Sequence, residues 1–426
     1  TQKNNKNTMY TTLNKQTSFF VALSLTLVLF STCKKDDGEC NTANIPTIEW
    51  KKTISGNHTI TISNTQQTTD GGYILAGHNN GNQNGGDYWI AKLNSNADIE
   101  WQKTYGGSNY DSAQNIQQTT DGGYVVIGTT VSNDGDVTNN KGSNDAWILK
   151  LSTNGNIEWQ KTYGGSAGDN LASIKQTTDN GYIAVGFAYS NNGDVPNNQG
   201  NFDAWVIKIA ANGNLEWSKT FGGSRQELMS DIQQTADGGY LMTGITVSSN
   251  GDVTNNHGSA DLWIIKLQAN GNLVWQKTYG GSHTDYANCI QKTNDGHYII
   301  VGETNSSDGD ISSAYGDLDA WVLKIDNLGN ILQQTTVGTN SSESANSILQ
   351  THDNNLLITG HSQNNSSNIS DIFVATLNTN CTLLWQRQIP QNINSSSATA
   401  IFETPDCGYM LFGNQFDEND LSTPII

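Results

Sequence analysis

The sequence predicts an all-β chain folded as a seven-bladed β-propeller of four-stranded antiparallel blades. Three observations carry that prediction. Tryptophan recurs in two columns, a tight Asp-Gly-Gly type of turn recurs between apolar runs, and no segment after residue 33 shows a sustained helical period. Trp50, Trp101, Trp159, Trp217, Trp275 and Trp385 form one column, with Gln333 in the missing place; Trp89, Trp147, Trp205, Trp263 and Trp321 form the other, with Phe373 next. Together they use all 11 tryptophans, and the first column is spaced by 58 residues through the middle units. A tryptophan that returns once per unit is packing, because its large apolar area fills the wedge between neighbouring sheets.

Each unit reads as four short strands, named A to D from the central channel outward. The A strand is of the type Ser173 to Thr177. A turn follows, Asp121-Gly122-Gly123 in its fullest form, and Asp-Gly between apolar runs is a strong hairpin signal. Tyr124 to Gly128 reads as B, then comes a long polar loop, then Ala146 to Leu151 as C. An Asn-Gly-Asn turn at Asn154 to Asn156 leads to D, Ile157 to Thr162. Repetition in a closed ring protects the strand edges. The propeller portion, residues 47–426, begins with a D strand at Thr47 to Thr53. It ends with A at Ala398 to Thr404, B at Tyr409 to Gly413 and a poor C candidate at Asp420 to Ile426. The N-terminal D strand is therefore expected to complete the last blade.

The unit built from Asp145-Ala146-Trp147, Gly155-Asn156-Ile157-Glu158-Trp159, Gly164-Gly165 and Asp121-Gly122-Gly123-Tyr124 resembles the β-propeller repeats of secreted Bacteroidetes proteins. It covers nearly all of residues 47–413. The Gly-x-x-x-Trp stretch is also similar to the tryptophan-docking repeat of quinoprotein-like and kelch-like blades. No matching quinone site is present, so that likeness implies architecture alone. The Asn-Gly turn before Trp159 stands where sialidase-type propellers carry an Asp-box, but its Gly comes one place early.

Residues 1–32 differ from the rest. Met9 is the first methionine, Lys15 supplies a positive charge, and Phe19 to Phe30 is an apolar run of about 12 residues, the length of a signal-peptide core and short for a membrane span. The run ends in Leu29-Phe30-Ser31-Thr32-Cys33, which resembles a bacterial lipobox with Thr32 in place of the usual Gly or Ala. The resemblance implies cleavage before Cys33, acylation of Cys33 and a polar tether over residues 33–46. Lys34-Lys35-Asp36-Asp37-Gly38-Glu39 looks like the surface-export signal of Bacteroidetes lipoproteins. That implies an outer-membrane protein held by its lipid and facing the cell exterior. A cleaved secretory signal followed by a polar linker is the simpler alternative.

The formal charge is −19, and the only charged residues among 1–32 are Lys3, Lys6 and Lys15, so a chain starting at Cys33 carries about −22. Such a surface repels nucleic acid and anionic headgroups. The tight turns all fall on one face of the ring and the long loops on the other, here called the top. Four B–C loops carry Gly-Asp-Val or Gly-Asp-Ile, at Asp136, Asp194, Asp252 and Asp310. These oxygen-rich loops either offer ligands to Ca²⁺ or bond their own backbone in Asx-turns. A second acidic column opens the A strands at Asp111, Asp169, Glu227, Asp285 and Glu343. With A innermost, these carboxylates would ring the channel mouth and recruit a cation, or else accept N–H groups of the preceding Gly-Gly-Ser turn. A third column before the C strands, Asp87, Asp145, Asp203, Asp261, Asp319 and Asp371, is expected to be structural.

The seven histidines fall at scattered repeat positions, so neither a metal cluster nor a nucleophile–His–acid arrangement is readable. Cys289 is expected as a buried small residue of an A strand. Cys381 and Cys407 replace turn glycines on the tight-turn face of adjacent blades and are candidates for a disulfide; Cys40 is an alternative partner for Cys407. The sequence thus points to a monomeric binding or scaffold module for glycan or protein on the long-loop face. A polysaccharide hydrolase or lyase with a top-face site, and a purely structural surface component, are the other readings.

Overall fold

The computed structural model describes residues 27–31, 47–52, 54, 60–82, 85–364, 369–390, 395–406, 408–417 and 420–423. It is an all-β propeller of four-stranded antiparallel blades. Six sheets are complete, and a seventh is built on the A and B strands Ser395–Glu403 and Tyr409–Asp417. The second blade shows the common plan: A at Asp111–Gln118, B at Tyr124–Thr130, C at Asp145–Leu151 and D at Ile157–Tyr163, each paired antiparallel with the next. Its B and C strands are buried throughout, while D alternates toward solvent, which is why B and C read as unbroken apolar runs.

The tryptophans of the second column stand between blades. Trp147, Trp205, Trp263 and Trp321 are at most 1 % exposed, so truncating one to Ala should cost about 3–5 kcal/mol. Each indole N–H is also satisfied by the facing D strand, as from Trp147 to Gln160 Oε1 at 3.0 Å. The first column sits lower and further out. Trp159 meets Tyr182 of the next blade edge-on at 6.0 Å and donates to Ala211 O at 3.1 Å, lying over the C–D turn at Gly213.

Every A strand carries a register break at one position, as between Ala113 and Asn115. Such a bulge adds twist where the strands wrap the axis and leaves a residue without its ladder partner. The side chain after the break often answers the need in the next blade: Asn64 Oδ1 accepts from Ile116 N–H and Asn115 Oδ1 from Ile174 N–H, both at 3.4 Å. On the tight-turn face a C-strand lysine is buried between two carboxylates. Lys150 Nζ lies 2.9 Å from Asp121 and 3.1 Å from Glu158, and the same arrangement recurs at Lys92 and Lys208.

The seventh sheet corrects one expectation. Its C place, beside Tyr409 to Leu411, is taken by Leu27–Ser31, and Thr47–Lys52 pairs outside that strand as D. The expected C strand, Asp420 to Ile426, is instead represented by Asp420–Thr423 pairing further along, at Gln415 and Asp417. A run of apolar residues forms a sheet strand as readily as it forms a signal core, and the C-terminal segment lacks that apolar character. Across the ring closure Asn414 bridges to the first blade, accepting from Ile62 N–H at 2.8 Å and donating to Ile62 O at 2.7 Å. Among the described residues no helix is long and apolar enough to cross a membrane.

Candidate functional site

The repeated acidic columns converge on the Gly-Gly turn that enters each A strand. In the second junction Gly164 N–H reaches Asp194 Oδ2 at 3.2 Å and Gly165 N–H reaches Asp169 Oδ2 at 2.7 Å. Asp136, Asp252 and Asp310 accept from Gly106, Gly222 and Gly280 in the same way, and Asp111, Glu227 and Asp285 from Gly107, Gly223 and Gly281. Glu343 takes Thr339 N–H at 3.0 Å. The column Asp111, Asp169, Glu227, Asp285 and Glu343 is 0 % exposed, so these carboxylates do not line an open channel mouth. The turn folds over them, and backbone N–H groups together with Ser and Thr hydroxyls donate to them, with Asp111 Oδ1 left without a partner. Among the described residues no group of three or more His, Cys, Asp or Glu side chains is arranged to hold a metal ion.

The third column completes each junction. Asp145, Asp203, Asp261 and Asp319 are also 0 % exposed, and each keeps Oδ1 without a hydrogen-bond partner. Asp145 Oδ1 and Asp169 Oδ2 both lie within 3 Å of where a Cβ on Gly164 would stand. Burial pushes the Asp145 and Asp203 carboxyls up to about 6, and the negative Asp169 and Glu227 beside them add to the push. These acids tune the stability of the junctions.

The channel itself is a cavity of about 510 Å³ lined by the A strands. The residues following the bulges are Asn64, Asn115, Ser173, Asp231, Cys289, Ser347 and Ala400. Asp231 is nearly buried and well occupied: Ser173 Oγ donates to it at 2.7 Å, Ile290 N–H at 3.1 Å, and Lys175 Nζ stands 3.6 Å away. Cys289, expected as a buried apolar residue, is half-buried with its thiol 3.6 Å from Asp231 Oδ2. Burial and the adjacent carboxylate push that thiol up to about 12, so it is no nucleophile at neutral pH.

Above the channel the repeat breaks. In each B strand one glycine is fixed, at Gly77, Gly128, Gly186, Gly244, Gly302, Gly360 and Gly413. The bulged A strand presses a carbonyl against it, so that a Cβ on Gly128 would stand 2.0 Å from Ser112 O; the other six meet the same carbonyl at 1.8–2.3 Å. The residue immediately after that glycine is free to differ, and it does: His78, Thr129, Phe187, Ile245, Glu303, His361 and Asn414. Thr129 and Asn414 are buried, and the other five are half-buried. The third and fourth blades supply Phe187 and Ile245, and Phe187 packs with Phe202 at 5.1 Å and Tyr189 at 5.9 Å, Tyr189 being 48 % exposed. The blades from the fifth round to the first supply Glu303, His361, Asn414 and His78.

The polar groups are unevenly satisfied. His78 Nδ1 meets Ser112 Oγ at 3.1 Å, and its ring stands edge-on to Tyr110 at 5.6 Å. His361 Nδ1 is buried without a hydrogen-bond partner. Burial lowers the pKa of both histidines, with Glu303 and Glu343 pulling His361 the other way, so both are neutral at pH 7. Sequence reasoning passed over this ring because its histidines look scattered. The signal was the residue after an unvarying glycine. Of the other predicted positions, Cys381 is buried in its C–D turn with a left-handed φ of 59°, whereas Cys33, Cys40 and Cys407 lie outside the described residues.

No family model matches the chain, and no curated protein matches it. Solved structures do. The β-propeller domain of the Trilobed protease from Pyrococcus furiosus, described as having an open velcro topology, is 8 % identical over 85 % of this chain and 94 % of that one, with a TM-score of 0.46. A puromycin hydrolase S511A mutant complexed with PGG is 8 % identical over 83 % of this chain, which spans 58 % of that protein, with a TM-score of 0.39. The endo-arabinase from Bacteroides thetaiotaomicron VPI-5482 is 12 % identical over 59 % of this chain and 90 % of that one, with a TM-score of 0.35. At this identity the likeness concerns the fold, and no activity is carried over from these proteins.

Proposed function

We propose that this protein is a ligand-binding propeller whose site is the ring of differing residues at the top of the B strands, and that it works as an anchored binding module for glycan or protein at the cell surface. The observation that carries this reading is the alternation of seven unvarying glycines with the differing residues His78, Thr129, Phe187, Ile245, Glu303, His361 and Asn414. Packing requires the same residue at every junction, whereas a ligand requires different residues at one place. Phe187, Phe202 and Tyr189 form an aromatic cluster in which Tyr189 is exposed, and such a face suits contact with a shaped, partly polar ligand.

In this reading the ring has seven blades and is closed by the N-terminal D strand, Thr47–Lys52. Cleavage before Cys33 and acylation of Cys33 anchor the chain in the outer membrane. That processing removes Leu27–Ser31 from its place beside Tyr409 to Leu411. The tether leaves the tight-turn face, so the ring of differing residues points away from the membrane and the protein acts as a monomer.

The test is a glycan array together with protein pull-down, using the full chain and the variant Phe187→Ala/Tyr189→Ala. Leu273→Ser, which alters an exposed leucine of a D strand, serves as the control. Binding by the wild type and the control, lost in the ring variant, supports the reading. Binding that ignores the ring variant, or no binding to any probe, overturns it.

A further inference from the structure

The seventh sheet is the one blade whose C place is filled from outside the repeat. Its A strand Ser395–Glu403 pairs with its B strand Tyr409–Asp417, Leu27–Ser31 comes next, and Thr47–Lys52 pairs beyond that. Leu27–Ser31 is held on both edges. Val28, Leu29 and Phe30 stand opposite Leu411, Met410 and Tyr409, and its other edge runs along Thr47–Lys52. Among the described residues no other strand pairs with Thr47–Lys52. The C place demands apolar residues on both faces. Tyr409 and Leu411 belong to the core shared with the sixth blade, and Met410 and Phe412 to the core shared with the first. The C strands of the second to fifth blades are accordingly buried throughout. Leu27–Ser31 reads Leu-Val-Leu-Phe-Ser, whereas Asp420–Thr423 reads Asp-Leu-Ser-Thr and pairs further along, at Gln415 and Asp417. Thr47–Lys52 carries Glu49, Lys51 and Lys52, and it is fixed as the D strand by Ile48 against the core and by the Lys52–Asp98 ion pair to the first blade.

From this geometry we infer that the seventh blade carries a strand-accepting slot between Tyr409 to Leu411 and Thr47–Lys52, and that once Leu27–Ser31 is gone the slot takes an extended apolar segment of a partner protein. This rests on the processing proposed above, and it adds a second site to the ring at the top of the B strands. Removing Leu27–Ser31 leaves the outer edge of a B strand open, and the backbone N–H and C=O groups that face the slot lose their partners. Recognition by strand addition uses both features of such a slot. The ladder binds any extended backbone, and the surfaces on alternate faces select the side chains. Leu27–Ser31 shows the chemistry the slot accepts: an antiparallel, uncharged, proline-free segment rich in apolar residues. The two segments of the chain nearest the slot do not match it, since Asp420–Thr423 is polar and Thr47–Lys52 is charged and already held in the D place.

The probe is a fluorescein-labelled peptide with the sequence of Ser24 to Thr32 and a solubilising lysine tail, beside a matched peptide with proline in the place of Leu29. Both are offered to the full chain, to the full chain carrying Leu29→Pro, and to the chain recovered after export from a bacterial host, its N-terminus read by mass. Proline gives no N–H to the ladder, so Leu29→Pro opens the slot without shortening the chain. The exported chain and the Leu29→Pro chain should bind the probe about tenfold or more tightly than they bind the proline peptide, while the unaltered full chain, its slot filled, binds neither. Bound probe should restore hydrogen-exchange protection at Tyr409 to Leu411 and leave the second to fifth blades unchanged. Protection of those blades before the probe is added shows that each chain is folded. Equal binding of the two peptides, or binding by neither open chain, overturns the inference. So does full protection at Tyr409 to Leu411 in the exported chain before any probe is added, because Asp420–Thr423 or Thr47–Lys52 would then have filled the slot. An exported chain that keeps residues 1–32 removes the processing reading alone, and the Leu29→Pro chain then decides the slot by itself.

Discussion

Replacing Asp145 by Asn should stabilise the protein at neutral pH. Asp145 is fully buried, accepts Lys141 N–H at 2.6 Å through Oδ2, and leaves Oδ1 unpartnered beside Gly164 and the Asp169 carboxylate. Burial, helped by Asp169, pushes its carboxyl up to about 6 from the ordinary 3.8. A group whose pKa is raised by folding contributes stability that is complete below 3.8 and lost as pH rises through 6. Ionised at pH 7.5, it costs about 3 kcal/mol, an upper figure for a buried group in a charged neighbourhood. Asn keeps the acceptor for Lys141 and carries no charge. An unfolding entropy of about 0.9 kcal/mol/K for a chain of this length turns that cost into a Tm gain of about 3 °C. The assay is thermal unfolding of wild type and D145N at pH 7.5 and pH 4.5, with and without EDTA. D145N should be the more stable at pH 7.5, with the gap narrowed from about 3 to about 1 kcal/mol at pH 4.5. A variant destabilised equally at both values would refute the reasoning. So would a wild type that loses its advantage over D145N only when EDTA is added, since that would mean an ionised Asp145 is held by a cation such as Ca²⁺.

The acid limb should have the opposite sign. Against the pull of burial, the Thr119 hydroxyl, Lys150 and Gly123 N–H hold Asp121 at about 2, and Asp70, Asp179 and Asp295 are held at about 2 by the same kinds of partner. Their contribution is present above 3.8 and lost as pH falls toward 2; because these carboxylates are about half exposed, each is worth no more than about 1 kcal/mol. Acid unfolding followed by circular dichroism should therefore fall between pH 4 and 2, with its midpoint raised in Lys150→Gln. Gly128→Ala should cost about 3 kcal/mol or more in urea unfolding, because its Cβ would meet Ser112 O at 2.0 Å, whereas Gly238→Ala, in open space at φ 78°, should cost only about 1–2 kcal/mol. Deleting residues 1–32 should raise hydrogen exchange at Tyr409 to Leu411 and at Thr47 to Lys52 while leaving the second to fifth blades unchanged; unaltered protection there would mean that Leu27–Ser31 contributes nothing to the sheet.

The blades were legible because every repeated residue has one job in every copy. The tryptophan columns, the Asp-Gly turns and the runs such as Tyr124–Thr130 carry their burial in their periodicity. Depth was less legible. Asp111 and Asp169 begin the innermost strands and so look like a rim, but the Gly-Gly turn covers them, and pattern alone does not register a turn folding back. Lys150, a charge near the end of a C strand, is buried because Asp121 and Glu158 arrive from the tight turn and the D strand. The end of the apolar run, Leu27–Ser31, carries two meanings, export core and sheet strand, and composition does not separate them. The ring was hidden for the opposite reason: its members share a position and nothing else.

Symmetry separates structural from functional charge in this fold. Each junction between blades presents the same backbone donors, so an acid that satisfies them must recur, as Asp145, Asp169 and Asp194 do with their counterparts. A group that serves a ligand need appear only once. The single-copy charges near the axis are few. Asp231 and Lys175 neutralise each other at 3.6 Å, and Asp231 does for Ile290 N–H what Asn64 and Asn115 do for the blades that follow them, so this pair replaces a neutral amide without adding net charge. Glu303 replaces nothing: the equivalent positions hold Thr129, Phe187 and Ile245, and no backbone donor waits for a carboxylate there. Its carboxylate oxygens are not among the buried unpartnered atoms, so water reaches them and this single-copy charge does not carry the desolvation cost that Asp145 does.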